Sequence, residues 1–232
     1  MQVVIMAGGL GTRLASLTRH RPKALLPLGD TSLVGALLDR LCACGMTEAV
    51  ICAGHMGHLM AETLGTAWRG VPLRVSVEPH PLGTAGGLAL VADLAPDFLV
   101  VNCDIVTDLD FGALFHHHRD SGAAATLAAG EWRERLRFGI VEADADGRVL
   151  RLREKPEVCH TILLGAYALN AKAVADVLPT AGERIDMPDL LARMIATDVP
   201  VRQFFSTAEW ADVGTVEDYR SVLRGAGPLE DR

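Results

Sequence analysis

The segment Gly8-Gly9-Leu10-Gly11-Thr12-Arg13 directly follows an apolar run, Val3-Val4-Ile5-Met6. Three glycines so close together let the backbone approach a ligand and point successive amide hydrogens inward, an arrangement that cradles anions. Arg13 adds a planar fork of donors that matches phosphate oxygens. Downstream, Arg21-Pro22-Lys23-Ala24-Leu25-Leu26-Pro27 holds a second arginine and a lysine between two prolines, so Lys23 sits in a stiff loop. A tight turn alone would explain glycines after a strand. With Arg13 and Lys23 added, the pattern points to a triphosphate. The loop is not a P-loop, because no Gly-Lys-Ser/Thr closes it. Nor do Gly8, Gly9 and Gly11 have the spacing of a dinucleotide fingerprint.

Two acidic residues far apart in sequence could complete such a site. Asp104 follows the apolar run Phe98-Leu99-Val100-Val101, where ligands of open α/β sheets gather. Asp212 lies in Glu209-Trp210-Ala211-Asp212-Val213-Gly214, between a late strand and a last helix. Together they could bind one hard divalent ion, with water and phosphate oxygens completing its shell. Taken singly, each reads equally as a cap or turn residue, and Asp108 and Asp110 compete with Asp104. Glu154-Lys155-Pro156 offers a cation for a second phosphate and a carboxylate for a sugar hydroxyl, or else an ordinary solvated strand end.

These residues need elements to hold them. Apolar runs predict strands at 3–6, 49–53, 73–77, 98–101, 124–128, 161–169 and 201–205. Helical spacing predicts helices over 32–44, 58–64, 86–94, 111–119, 172–178, 188–195 and 216–223. A polar turn is expected at 131–134, and a hairpin over 138–152 turning at Asp146-Gly147. The strand–helix alternation predicts a mostly parallel sheet covered on both faces. The expected organisation is one domain over 1–232, with lobes at 1–130 (nucleotide) and 131–224 (sugar phosphate) and a flexible tail at 225–232.

Composition narrows the partners. Of 232 residues, 22 are basic and 29 acidic, a formal charge of -7, which disfavours a nucleic-acid backbone binder. No run of ~18 apolar residues exists to span a membrane. The N-terminus lacks the basic leading region of a secretion signal. Five cysteines without a Cys-x-x-Cys pattern favour a reducing compartment, so a cytoplasmic protein with free thiols is expected. His116-His117-His118 cannot converge on one ion from consecutive helical positions, and His55 and His58 lack an acidic third ligand.

The motifs occur together as Ala7 to Leu14, Pro22 to Pro27, Glu78-Pro79 with Leu82-Gly83-Thr84-Ala85-Gly86, Asn102-Cys103-Asp104, Phe138-Gly139, Glu154-Lys155-Pro156, Gly165 with Tyr167, and Trp210 to Gly214. In this order, over nearly the whole chain, they resemble the sugar-1-phosphate nucleotidyltransferase (nucleotide-sugar pyrophosphorylase) family. The pattern from Glu78 to Gly86 is most similar to the mannose-1-phosphate or heptose-1-phosphate guanylyltransferases. His80-Pro81 departs from the pair many relatives carry there.

The resemblance implies a Rossmann-like, GT-A-like three-layer α/β fold with a mixed, mostly parallel central sheet and no C-terminal β-helix. It implies that Ala7, Gly8, Gly9, Gly11, Thr12, Arg13 and Lys23 hold the nucleotide and its phosphates, with Glu78, Gly83 and Thr84 at the base and ribose. Asp104 and Asp212 would hold Mg2+, and Gly139, Glu154, Lys155 and Gly165 would line the sugar-phosphate side. Arg13, Lys23, Asp104, Lys155 and Asp212 would be the catalytic set. The implied reaction joins a nucleoside triphosphate, GTP by this branch, to a sugar 1-phosphate and releases pyrophosphate, in a monomer or small homo-oligomer. Three alternatives stand beside it: a uridylyl- or thymidylyltransferase, a catalytically silent nucleotide-sugar-binding regulator, and an enzyme transferring sugar from an activated donor.

Overall fold

The structure is a computed structural model that describes residues 1–9 and 11–225. The tail expected at 225–232 lies, from residue 226 on, outside the described residues. In chain order the strands are β1 (Gln2–Ala7), β2 (Pro27–Leu28), β3 (Thr31–Ser32), β4 (Glu48–Ala53), β5 (Ala67–Trp68), β6 (Val71–Val77) and β7 (Asp97–Asn102). They continue as β8 (Ile105–Thr107), β9 (Ala125–Arg135), β10 (Ile140–Ala143), β11 (Val149–Arg153), β12 (Glu157–Asn170), β13 (Val201–Phe205) and β14 (Trp210–Asp212). The helices are α1 (Ala15–Thr18), α2 (Leu33–Ala43), α3 (Gly57–Leu64), α4 (Phe111–Ser121), α5 (Ala171–Ala175), α6 (Met187–Ala196) and α7 (Val216–Leu223).

Eight strands form one sheet in the order β13-β9-β12-β7-β1-β4-β6-β5. β1 runs parallel to β4 and β7, β4 to β6, and β13 to β9, while β12 is antiparallel to both its neighbours. This is the mixed, mostly parallel Rossmann-like sheet the sequence predicts. Every residue of β1 is buried, and the strand's two-residue period divides it between two cores. Val3 and Ile5 pack with Val34, Leu38, Met60 and Phe111 from α2, α3 and α4. Val4 and Met6 pack on the opposite face with Leu88, Val174, Leu190 and Met194. Each such apolar side chain contributes roughly 1.5–3 kcal/mol on burial, so only a sheet covered on both sides suits this run.

The helix boundaries are set by local chemistry. Ser32 accepts a hydrogen bond from the Gly35 amide at 3.1 Å and Asp110 one from Ala113 at 2.9 Å, each satisfying an orphan donor at a helix start. Thr215 and Asp218 cap α7 reciprocally.

Two expected elements differ. Residues 86–94 do not form a helix; only Gly86–Leu90 make a 3-10 turn. The turn stops where Val91 becomes extended, with φ -97° and ψ 101°. The expected polar turn at 131–134 is the outer half of β9. Its charged residues stay extended because they pair with β12, Glu131 opposite Thr161 and Arg135 opposite Glu157.

One buried polar cluster gives the fold a pH dependence. His118 on α4 is fully enclosed, its Nδ1 is 2.9 Å from Thr126 Oγ1, and its Nε2 lies 3.6 Å from Asp97 Oδ1. Burial lowers its pKa below the ordinary 6.5, outweighing the attraction of Asp97, while His117 lowers it further. A base whose folded pKa is depressed adds stability that is complete above the unfolded value and is lost as pH falls. Stability is therefore expected to fall below pH 6.5 by up to about 1.4 kcal/mol per pH unit from this residue. Thermal midpoints at pH 7.5 and 5.5 should separate more in the wild type than in His118→Gln; equal separations would contradict the assignment.

Candidate active site

The site begins where β1 and β7 end side by side. Met6 pairs with Asn102, and the Cys103 amide donates to Met6 O at 3.1 Å. The glycine loop and the Asn102-Cys103-Asp104 segment are therefore neighbours at the carboxyl edge of the sheet, the place open α/β folds reserve for ligands. A cleft of about 440 Å³ opens there, within the usual range for small-molecule sites. Residues 7–9 and 11–13 line it, with Lys23, Gly83, Thr84 and Asp104.

Glycine is required in this loop by packing as well as by access. A Cβ on Gly8 would lie 2.5 Å from Glu78 Oε2, and one on Gly54, after β4, would lie 2.5 Å from Gly8 O. Gly11 has φ +59°, the left-handed region that glycine enters without steric cost.

Strand pairing brings Asp212 beside Asp104; Gly214, two residues on, lines the cleft, while Asp212 itself does not. β14 runs antiparallel to β8 with Asp212 opposite Ile105, and the Val213 amide donates to Asp104 O at 2.9 Å. Thus the two aspartates, distant in sequence, are adjacent in space. Part of Asp212 faces solvent, yet partial burial and then the charge of Asp104 push its carboxyl above the ordinary aspartate range. Lys23 and Arg13 oppose that shift. Lys23 Nζ donates to Asp104 Oδ2 at 2.7 Å. A Cβ on Gly214 would meet Arg13 Nη1 at 3.5 Å and Asp212 Oδ1 at 3.6 Å, so the second cation flanks the second carboxylate. Leu14, Leu26, Leu33, Val213 and Tyr219 form a small core that ties these segments together, and Tyr219 Oη donates to Pro27 O at 2.5 Å.

The donor set suits a hard divalent cation. Two adjacent carboxylates supply oxygen ligands, and their mutual repulsion is what such an ion relieves. Among the described residues no three or more His, Cys, Asp or Glu side chains gather as a metal cluster, so further ligands would come from substrate oxygens and water.

The other predicted residues take different positions. Glu78 is buried beneath the glycine loop rather than in the cleft wall, its Oε2 accepting from the Leu82 amide at 3.2 Å. Burial raises its carboxyl pKa. Gly139 and Glu154 face each other on the β10–β11 hairpin, where a Cβ on Gly139 would meet Glu154 Oε2 at 3.0 Å. Lys155 follows in a left-handed conformation, φ 44°. Gly165 stands behind Asn102, with 3.1 Å between its Cβ position and Asn102 Nδ2. None of these four lines the described cleft.

Among the cleft residues that the sequence reading left out of the site are Asn102, Arg184 and Asp186. Asn102 stood inside a matched motif, and its Oδ1 is buried with no hydrogen-bond partner among the described residues. Arg184 and Asp186 reach the cleft only through long-range packing, which no local pattern signals.

Residues 2–226 match the family described as Nucleotidyl transferase. The chain belongs to the nucleotidyl transferase family. It is 33% identical over 232 residues to a mannose-1-phosphate guanyltransferase of Yarrowia lipolytica, covering 95% of this chain and 62% of that protein. It is 31% identical over 233 residues to the mannose-1-phosphate guanylyltransferase catalytic subunit beta of Dictyostelium discoideum, covering 96% and 64%. The chain thus spans under two thirds of the length of these relatives. In fold it is similar to HddC from Yersinia pseudotuberculosis, with a TM-score of 0.75, 24% identity and coverage of 97% and 98% of the two chains. Among the described residues, no helix is long and apolar enough to cross a membrane.

Proposed function

We propose that this nucleotidyl transferase joins GTP to a mannose- or heptose-type sugar 1-phosphate, giving a nucleotide-diphosphate sugar and pyrophosphate in the cytoplasm. The observation that carries the reading is the cleft that Gly8, Gly9, Gly11, Arg13, Lys23 and Asp104 line, with Lys23 paired to Asp104 and Asp212 beside them behind Gly214. The names of the guanylyltransferase relatives support the choice of base and sugar.

In this reading the loop amides from Gly8 to Arg13 hold the triphosphate, and Gly83 and Thr84 lie at the base and ribose with Glu78 bracing the loop from below. Arg13 and Lys23 bind phosphate oxygens and offset the charge that builds up as the α-phosphorus is attacked. Asp104 and Asp212 would hold Mg2+, which when bound neutralises phosphate charge and orients the triphosphate. Asn102 offers its unpartnered carbonyl to a substrate hydroxyl. Gly139, Glu154, Lys155 and Gly165 serve the sugar phosphate, the hairpin residues approaching when that substrate binds.

The attacking oxygen belongs to the sugar phosphate, which is already anionic at neutral pH, so alignment replaces a general base. The protein offers no competing nucleophile at this point. Cys103 lines the cleft, but burial and then the Asp104 charge push its thiol pKa far up, keeping it protonated and inert. Lys23 is held by Asp104.

The experiment is a matrix of GTP, ATP, UTP, CTP and dTTP against mannose, glucose, heptose and N-acetylated sugar 1-phosphates with Mg2+, read as pyrophosphate. The expected result is the fastest release with GTP and a mannose- or heptose-type sugar. Release of nucleoside diphosphate instead of pyrophosphate, or no turnover across the matrix, would sink the reading.

A further inference from the structure

The wall of the cleft opposite the glycine loop is built from two distant segments locked together. Ile185 N donates to Leu82 O at 3.0 Å, and Ala85 N and Gly86 N both donate to Ile185 O. Thr84 Oγ1 accepts from Met187 N at 2.8 Å. The fit leaves no room for a side chain: a Cβ on Gly83 would lie 2.5 Å from Ile185 O, and one on Gly86 2.8 Å from Glu183 O. Arg184 rides on this locked segment and lines the cleft.

Asp186 fixes the guanidinium to the wall. Its Oδ2 accepts from Arg184 Nη2 at 2.7 Å and its Oδ1 accepts from the Thr84 amide at 3.0 Å. Each carboxylate oxygen thereby accepts one bond, and the two bonds tie the guanidinium to the Thr84 amide. Arg184 still has N–H groups to donate and no acceptor to offer. Its side chain is 66% exposed, so it is accessible to a ligand entering the cleft. Arg13 and Lys23 sit at the aspartate end and serve the phosphates, which leaves Arg184 beside Gly83 and Thr84, the segment read above as the base and ribose side.

From this geometry we infer that Arg184, oriented by Asp186, selects keto nucleobases over amino nucleobases. Guanine presents O6 and N7 as two acceptors that a guanidinium fork meets bidentately. Uracil and thymine present O4. Adenine keeps N7 but puts an amino donor in place of O6, and cytosine puts one in place of O4, so the fork loses one of its two acceptors in the first case and its facing acceptor in the second. The assignment of this wall to the base rests on the nucleotide-binding reading above; the keto preference follows from the donor-only chemistry of Arg184.

The test is calorimetric binding of GTP, ATP, UTP and CTP, each with Mg2+, to the wild type, Arg184→Met and Arg184→Lys, with thermal midpoints to check folding. The wild type should bind GTP more tightly than ATP, and UTP more tightly than CTP. Arg184→Met should weaken GTP roughly 10–100-fold, the range for a bidentate base contact, weaken UTP and ATP less, through their single acceptors, and leave CTP within about twofold. Arg184→Lys keeps a donor-only cation without the planar fork and should retain part of the keto preference. A uniform loss over all four would make Arg184 a phosphate contact and overturn the inference. So would no loss in either variant, or a wild type that binds keto and amino nucleotides alike. Pyrophosphate release measured in parallel keeps the two ideas apart, since keto-selective binding without turnover would defeat the transferase reading alone.

Discussion

Replacing Asp104 by asparagine is expected to slow pyrophosphate release by about 10²–10³-fold, the scale seen when one preorganised charge-stabilising group is removed. The substitution keeps the shape of the side chain and removes the charge that holds Lys23 at 2.7 Å and that faces Asp212. Lys23 would then have no fixed partner, and two carboxylates would become one. Stability should fall as well, because both side chains are mostly enclosed and the change leaves Lys23 without its counter-charge. Steady-state rates with circular dichroism and a thermal midpoint separate the two effects. A variant with the wild-type rate would remove Asp104 from the reaction. A variant that failed to fold would instead make the Lys23–Asp104 pair a structural clasp.

The second large effect concerns a glycine outside every matched motif. Gly54 is buried after β4, and a Cβ there would lie 2.5 Å from Gly8 O, 3.0 Å from Gly8 Cα and 3.1 Å from Gly8 C. These are backbone atoms, so no side chain can swing away to make room. Gly54→Ala must push the first turn of the phosphate loop outward, at about 1–3 kcal/mol for overpacking. For a chain of this size that corresponds to a fall of several degrees in thermal midpoint, at roughly 2–4 °C per kcal/mol. Displaced amides should also weaken binding of the triphosphate by at least about tenfold, since the loop binds with its backbone. An alanine variant with unchanged midpoint and unchanged GTP affinity would show that the contact between the two loops is unimportant.

How much of this was readable beforehand depends on how local the cause is. β1 and β7 follow from short apolar runs buried on both faces. Asp104 was placed by the end of a strand. Asp212 was harder, because β8 and β14 are three-residue strands whose pairing brings it beside Asp104 only once the whole sheet exists. The segment from Glu131 to Glu134 read as a turn because its charges suggest exposure. Its extended form comes from β12, whose partner residues Val158 to Thr161 lie well downstream. Gly54 and Arg184 left no trace in any local pattern, and Asp186 read only as a helix cap, since their places depend on remote segments. The hairpin carrying Gly139, Glu154 and Lys155 was legible as a hairpin, whereas its distance from the cleft was not.

The central claim is that the cleft aligns two substrates for one direct displacement and contributes no nucleophile of its own. Stereochemistry at the α-phosphorus tests this most directly. A single diastereomer of guanosine 5′-O-(1-thiotriphosphate) is turned over with mannose 1-phosphate, and the configuration of the nucleotide sugar is read by phosphorus NMR. Inversion is the predicted outcome; net retention would mean that a side chain of the protein had first carried the nucleotidyl group, and would contradict the account.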